Sequence, residues 1–249
     1  GISAVTSTKT AREIYSRAAK HGKRAQCSGG AINFLIVMPD ADLDKSIPNM
    51  MESCFGNSGQ RCLAGTFIIG VGNIYDELKE RFIDAASKLK IGYGLDKGVQ
   101  LTPVVAKSNL ERLHKQIETC VEEGIKLIKD GRGIKIDKYP NGYFLGPTIF
   151  EDPMPGTYPY QEEIFGPVVF LKKVKDLDEA IELANSVETG NASTIYTGNG
   201  HWAREFRNRI EAGNIGINVG IVAPMAFYPF AGMKDSFFGD LHPLNLECL

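Results

Sequence analysis

The chain has 249 residues, of which 43% are apolar and 23% charged, and a net charge of −2 with both signs interspersed along it. A chain of this length buries most of its apolar surface and needs no disulfide staples. No Lys/Arg cluster is placed to track a phosphate backbone and no apolar run approaches a membrane span, so neither nucleic acid nor membrane is expected as a partner.

In chain order, residues 2–5 read as a strand and 8–20 as a helix opened by Ser7 or Thr8. Phe34-Leu35-Ile36-Val37 is a compact apolar run of strand type. A helix at about 42–54 leads to another strand at 66–71. Asn73 is placed to cap a helix in which Ile74, Leu78, Phe82, Ala85 and Leu89 recur at helical spacing. Glu77 stands four residues before Arg81, and Gly92 stands where a stop is expected. A second long helix is expected over 107–123, with an apolar stripe of Leu110, Leu113, Ile117 and Val121, ending at Gly124. Residues 130–147, rich in Gly, Pro and charge, read as a loop or hairpin. Val168–Leu171 is a buried strand by composition. Asp176 then caps a helix, with Glu179 in capping-box register. Residues 193–197 and 215–219 read as strands around a helix at 201–211. The stretch 220–240 is too apolar for a solvated linker and reads as an ordered loop over something buried. Strands alternating with amphipathic helices imply an α/β fold with a mainly parallel sheet.

The five cysteines, Cys27, Cys54, Cys62, Cys120 and Cys248, form no CxxC pair and have no His at zinc-ligand spacing. Free thiols in a reducing compartment are expected, and no metal site. That compartment is the cytoplasm, or the mitochondrial matrix in a eukaryote. The opening Gly1-Ile2-Ser3-Ala4-Val5 reads as the middle of a strand, so the chain is expected to be a piece of something longer.

One segment, Phe55-Gly56-Asn57-Ser58-Gly59-Gln60-Arg61-Cys62, sets a cysteine among small and polar residues between a helix and a strand. A thiol attacks only as the thiolate. Arg61, the N–H groups of a Gly-containing turn, or a helix end are each expected to lower its pKa. On local grounds alone, a cysteine in an α/β domain is more often a small core residue.

Asn-x-Gly-Gln-Arg-Cys resembles the active-site signature of the aldehyde dehydrogenase superfamily. About 100 residues later, Glu162-Glu163-Ile164-Phe165-Gly166-Pro167 resembles a second signature of that family. The resemblance runs from Ile2 to about His242 and is nearest the methylmalonate-semialdehyde dehydrogenase subfamily, through residues 19–43, 142–149 and 213–218. It implies an aldehyde-dehydrogenase-like catalytic domain at 31–249, preceded at 1–30 by the last piece of a dinucleotide-binding domain. It implies Cys62 as the nucleophile, Arg61 holding a substrate carboxylate, Glu163 on the nicotinamide ribose of NAD and Phe165 beside the nicotinamide. Ser7, in Thr6-Ser7-Thr8-Lys9-Thr10-Ala11, matches the family's turn near the diphosphate. An aldehyde is oxidised through a cysteine thioester, and the assembled enzyme is expected to be a homo-oligomer.

Hydrolytic relatives carry a glutamate that activates water; aligning Gly29–Asn33 puts Ser28 in its place. Serine is a poor base near neutral pH, so the resemblance implies transfer of the acyl group to coenzyme A. Thr6 and Ala11 depart from the family's glycines and put a Cβ where backbone approaches phosphate. The family's N-terminal half, which carries most of the dinucleotide site, has no counterpart here. Two readings therefore stand: the catalytic part of a CoA-acylating semialdehyde dehydrogenase, and a non-catalytic scaffold or binding module built on the same domain.

Overall fold

A computed structural model describes residues 1–240 and His242. Cys248, with the rest of 243–249, lies outside the described residues. The elements in order are β1 (Ile2–Val5), α1 (Thr8–Lys20), β2 (Ala25–Ser28), β3 (Phe34–Val37), α2 (Leu43–Phe55), β4 (Phe67–Val71), α3 (Ile74–Ser87), α4 (Lys107–Glu122), β5 (Lys126–Lys129) and β6 (Thr148–Glu151). They continue as α5 (Tyr158–Gln161), β7 (Val168–Val174), α6 (Leu177–Asn185), β8 (Thr189–Gly190), β9 (Ala192–Tyr196), α7 (Gly200–Arg209), β10 (Asn214–Ile217), β11 (Met233–Lys234) and β12 (Phe237–Phe238).

Seven strands form the main sheet in the order β10-β9-β3-β4-β7-β6-β5, and every pairing is parallel except β5 on β6. Both faces are covered, so its strands are apolar at consecutive positions rather than alternating. Phe34 and Ile36 of β3 point into a layer shared with α4, α6 and α7, while Leu35 and Val37 point into the layer of α2 and α3. A smaller sheet, β1-β2-β12, has α1 packed on it through Ala11, Ala18, Ala25 and Cys27. An α/β fold with a mainly parallel sheet flanked by helices is what the alternation of elements implied.

Several local signals act as the sequence suggests. Asp176 Oδ1 accepts the Glu179 N–H at 2.9 Å, and Glu179 reaches back to the Lys175 N–H at 2.8 Å. Arg81 meets Glu77 at 3.2 Å. Asp42, not singled out from the sequence, caps α2 through the N–H groups of Asp44 and Lys45. Gly124, at φ +80°, ends α4.

Four details differ. Helix α3 stops at Ser87, before Gly92, whose N–H pairs instead with the Leu101 carbonyl. Asn73 precedes α3 without a side-chain cap bond. Val121 is exposed, and Cys120 fills the core beneath α4. In the 220–240 stretch the large apolar residues Met225, Phe227 and Tyr228 face outward, more than half exposed. That stretch is anchored near its end by Ser236, whose Oγ donates to the Gly30 carbonyl (2.7 Å) and accepts the Gly190 N–H (3.0 Å).

Candidate active site

The backbone leading to Cys62 takes an unusual path. After α2, a tight 3-10 turn over Gly56–Gly59 places Asn57 and Ser58 at φ 52° and 55°, with Gly59 at 66°. Left-handed conformation at two successive non-glycine residues costs about 1–3 kcal/mol each and persists only where surroundings enforce it. Asn57 Nδ2 donates to the Gln60 carbonyl (3.0 Å), and the buried Ser58 Oγ donates to the Thr102 carbonyl (2.5 Å). Gly59 lies so close to the second motif that a Cβ on it would stand 2.2 Å from the Gly166 carbonyl oxygen. The two motifs are thereby joined main chain to main chain.

The Cys62 carbonyl is braced from both sides, by Asn33 Nδ2 at 2.8 Å and Asn191 Nδ2 at 2.7 Å. Asn33 is itself fixed, donating to the Ala64 carbonyl (2.8 Å) and accepting the Ala192 N–H (3.0 Å). These asparagines stand at the beginnings of β3 and β9. Sequence reasoning passed over Asn191 altogether and used Asn33 only to align Ser28.

A cavity of about 1200 Å³ opens on Cys62, and Arg61, Glu163, Phe165 and Ser7 share its wall. It lies where the carboxyl ends of β1 and β2 meet the amino ends of β4 and β7. On the small-sheet side, Thr6 and Ser7 stand between β1 and α1. The Ser7 hydroxyl bonds Thr10 Oγ1 (3.1 Å) rather than capping the helix, so the first-turn N–H groups carry no side-chain cap. Ala11 is fully buried, its methyl turned into the packing of α1 on β2 and not toward the cavity. Ser28 is buried in β2 with no hydrogen-bond partner for its Oγ; its neighbour Gly29 forms the cavity wall.

Electrostatics run against the expectation for Cys62. Burial pushes its thiol above the usual range and the nearby Glu163 carboxylate pushes the same way, opposed by the Cys62 N–H and the Asn191 amide. Arg61 does not counter this. Its guanidinium turns back to the end of α2, 3.3 Å from Glu52 Oε1, and its field falls on Cys54, which burial nonetheless raises far above the thiol range. Burial also raises Cys27, and takes Cys120 up to about 12.

Glu163 is pushed up to about 7 by burial, against the opposing pull of the Ala31 N–H and Arg112. Phe165 adopts φ 52° and leaves its ring partly exposed. The segment is held from α4, where Arg112 donates to the carbonyls of Ile164 (2.7 Å) and Phe165 (3.4 Å). Gln116 donates to Tyr158 Oη (2.9 Å) and to the Glu163 carbonyl (3.4 Å). The available signal was Gln116, a polar residue between Leu113 and Ile117 on the buried stripe.

This fold and this cysteine loop belong to one class of protein: the chain matches the aldehyde dehydrogenase family over residues 1–245 and is a member of it. It is 48% identical over 241 residues to malonate-semialdehyde dehydrogenase 3 of Geobacillus kaustophilus, covering 97% of this chain and 50% of that protein. It superposes with a TM-score of 0.95 on a structure from Sinorhizobium meliloti described as a methylmalonate-semialdehyde dehydrogenase complexed with NAD. That match is 40% identical and covers 98% of this chain and 50% of the other. A betaine aldehyde dehydrogenase from Staphylococcus aureus in complex with NAD+ gives a TM-score of 0.94 at 26% identity, over 99% and 48% of the two chains. The chain spans about half the length of the curated relatives it matches.

Proposed function

We propose that this chain carries the nucleophile for NAD-dependent oxidation of a carboxylated semialdehyde, with Cys62 holding the acyl group as a thioester before it passes to coenzyme A. The observation that carries the reading is the single cavity shared by Cys62, Glu163, Phe165 and the uncapped start of α1, in a chain whose relatives include malonate-semialdehyde dehydrogenases.

The residues present fit a dinucleotide. Free N–H groups at a helix start suit a diphosphate, and a buried carboxylate suits ribose hydroxyls. Ser7 and the first turn of α1 would hold the diphosphate, Glu163 the nicotinamide ribose, and Phe165 would lie beside the ring. Bound there, NAD would supply the acceptor for the hydride lost from the Cys62-bound substrate as a thioester forms. The other work falls to the chain. Cys62 gives up its proton to solvent in the open cavity and adds to the aldehyde carbon, and its own N–H is the donor for the oxyanion. Asn33 and Asn191 fix the Cys62 carbonyl, and the Ala64 N–H holds the Arg61 carbonyl at 3.0 Å, the group that shares a peptide plane with the Cys62 N–H. Ser28 offers no base for water, so the acyl group waits for a thiolate.

The test is turnover of malonate semialdehyde by the enzyme that contains this chain. A burst of NADH followed by a slow steady rate, raised by coenzyme A, supports the reading. Equal steady rates with and without coenzyme A overturn the acylating step and point to Glu163, the buried carboxylate of the cavity, as a base for water.

A further inference from the structure

Arg61 is held from behind. Its Nη2 donates to the main-chain carbonyl of Glu52 and lies 3.3 Å from Glu52 Oε1. The pair crosses directly over Gly56, where a Cβ would stand 2.1 Å from that Nη2 and 2.4 Å from that Oε1. Its two halves are unequally placed: the Arg61 side chain is 26% exposed and the Glu52 side chain 67%. A carboxylate so open to water binds a guanidinium weakly. The main-chain contact is of another kind, since it sits in the last turn of α2, where a cation is favoured by the helix dipole. Arg61 Nε–H is buried with no hydrogen-bond partner. A guanidinium commonly presents two parallel N–H donors to one carboxylate. Here the inner donor is empty and the outer one is shared with a loosely held acid, on a residue that walls the Cys62 cavity.

We infer that Glu52 is an internal substitute for a substrate carboxylate, occupying Arg61 in the resting cavity and yielding it to an aldehyde that bears an acid group. The inference rests on the reading of Cys62 as nucleophile. Glu52 then sets selectivity by competition: an acidic substrate replaces the ion pair it breaks, whereas a neutral aldehyde has nothing to offer Arg61. Gly56 makes the exchange possible because any side chain there would fill the space in which the two groups meet.

Iodoacetate and iodoacetamide differ in a carboxylate against an amide, and both alkylate thiols. The ratio of their rates at Cys62, read by peptide mapping on the 249-residue chain, reports carboxylate recognition without turnover. Glu52→Gln is expected to raise the iodoacetate-to-iodoacetamide ratio about two- to fivefold, the strength of an exposed ion pair. The gain should vanish in an Arg61→Gln background, which separates this exchange from a general loss of negative charge. An unchanged ratio in Glu52→Gln, or a gain that persists without Arg61, overturns the inference. If Arg61→Gln does not fold, protection of Cys62 from iodoacetamide by propanoate decides: tighter protection in Glu52→Gln supports the exchange, and equal protection overturns it. Alkylation that falls mainly on another cysteine overturns the reading of Cys62 as nucleophile instead.

Discussion

Cys62 differs from its fellow thiols in access more than in acidity. Cys27, Cys54 and Cys120 are buried, while Cys62 stands on the cavity wall. It should therefore be the first of these four labelled by sub-stoichiometric iodoacetamide. Because burial and Glu163 both raise its thiol, the labelling rate should still climb past pH 8.5, the ordinary midpoint of a free cysteine; a midpoint below 7.5 would contradict that account. Glu163 gives a second, separable titration. Its carboxyl sits at about 7 in the fold against about 4.3 in an unfolded chain. Between those values the folded state holds the extra proton, so this group's contribution is present below about pH 4 and lost as pH rises through 7. Glu163→Gln should remove that loss, gaining on the order of 2–3 kcal/mol over wild type at pH 8 relative to pH 5 in denaturant unfolding. A constant difference between the two pH values would show that the carboxyl is not shifted. Cys62 and Glu163 could be singled out in the sequence because each sits in a contiguous motif, and the fold sets both on the wall of one cavity. Asn191 was not, because its bond to Cys62 spans 129 positions and exists only once β9 is laid beside β3. Arg61 was legible as a residue but misjudged in direction: adjacency in sequence suggested that it serves Cys62, whereas the turn at Gly56 sends it to α2.

At the scale of elements, the joint between the cysteine loop and the second motif is the part least tolerant of change. Gly59 combines a left-handed φ with main-chain contact to Gly166. Gly59→Ala is expected to destabilise the fold by about 2 kcal/mol or more, and to slow Cys62 alkylation even where the protein remains folded. Gly133, also left-handed but with open space around its Cα, is the comparison: Gly133→Ala should cost about 1 kcal/mol and leave Cys62 labelling alone. Equal effects of the two variants would mean that the contact with Gly166 is dispensable. The long helices and the strands β1, β3, β4, β7, β9 and β10 were readable from their apolar runs, whereas β2, β5 and β6, four residues each, were not read as strands. The two-residue strands β8, β11 and β12 were not either, because nothing so short has a period. Gly92 misled for a related reason: α3 ends on its own three-residue return at Lys88, with no glycine marking the spot.

For the molecule as a whole, the division at residue 30 remains a proposal, and the small sheet bears on it. Strands β1 and β2 open the chain, yet β12 returns from residues 237–238 to pair with β2. The polypeptide of residues 1–249 alone is expected to produce no measurable NADH from aldehydes. The chain spans about half the length of its curated relatives, and where the remainder supplies even one donor to the oxyanion its loss costs about 10²–10³ in rate. Weak p-nitrophenyl ester cleavage should survive, disappear in Cys62→Ala and ignore added NAD. NADH production by this polypeptide without any added subunit would show that its own residues build a complete cofactor site, and an absence of Cys62-dependent esterase would favour the scaffold reading.

The cavity's position between two sheets has a further consequence. Ligands of open α/β sheets usually meet the carboxyl ends of strands, where helices begin. Here the small sheet offers its carboxyl ends and a helix start, but Cys62 belongs to the other side, at the amino end of β4 and just beyond the carbonyl end of α2. Burial and the Glu163 carboxylate both push the thiol up, which favours the protonated sulfur at rest. Peroxide attacks thiolates, not thiols, so the resting nucleophile is stored in a form that resists oxidation. Inactivation of the esterase by hydrogen peroxide should be slow at pH 7 and quicken steadily toward pH 9.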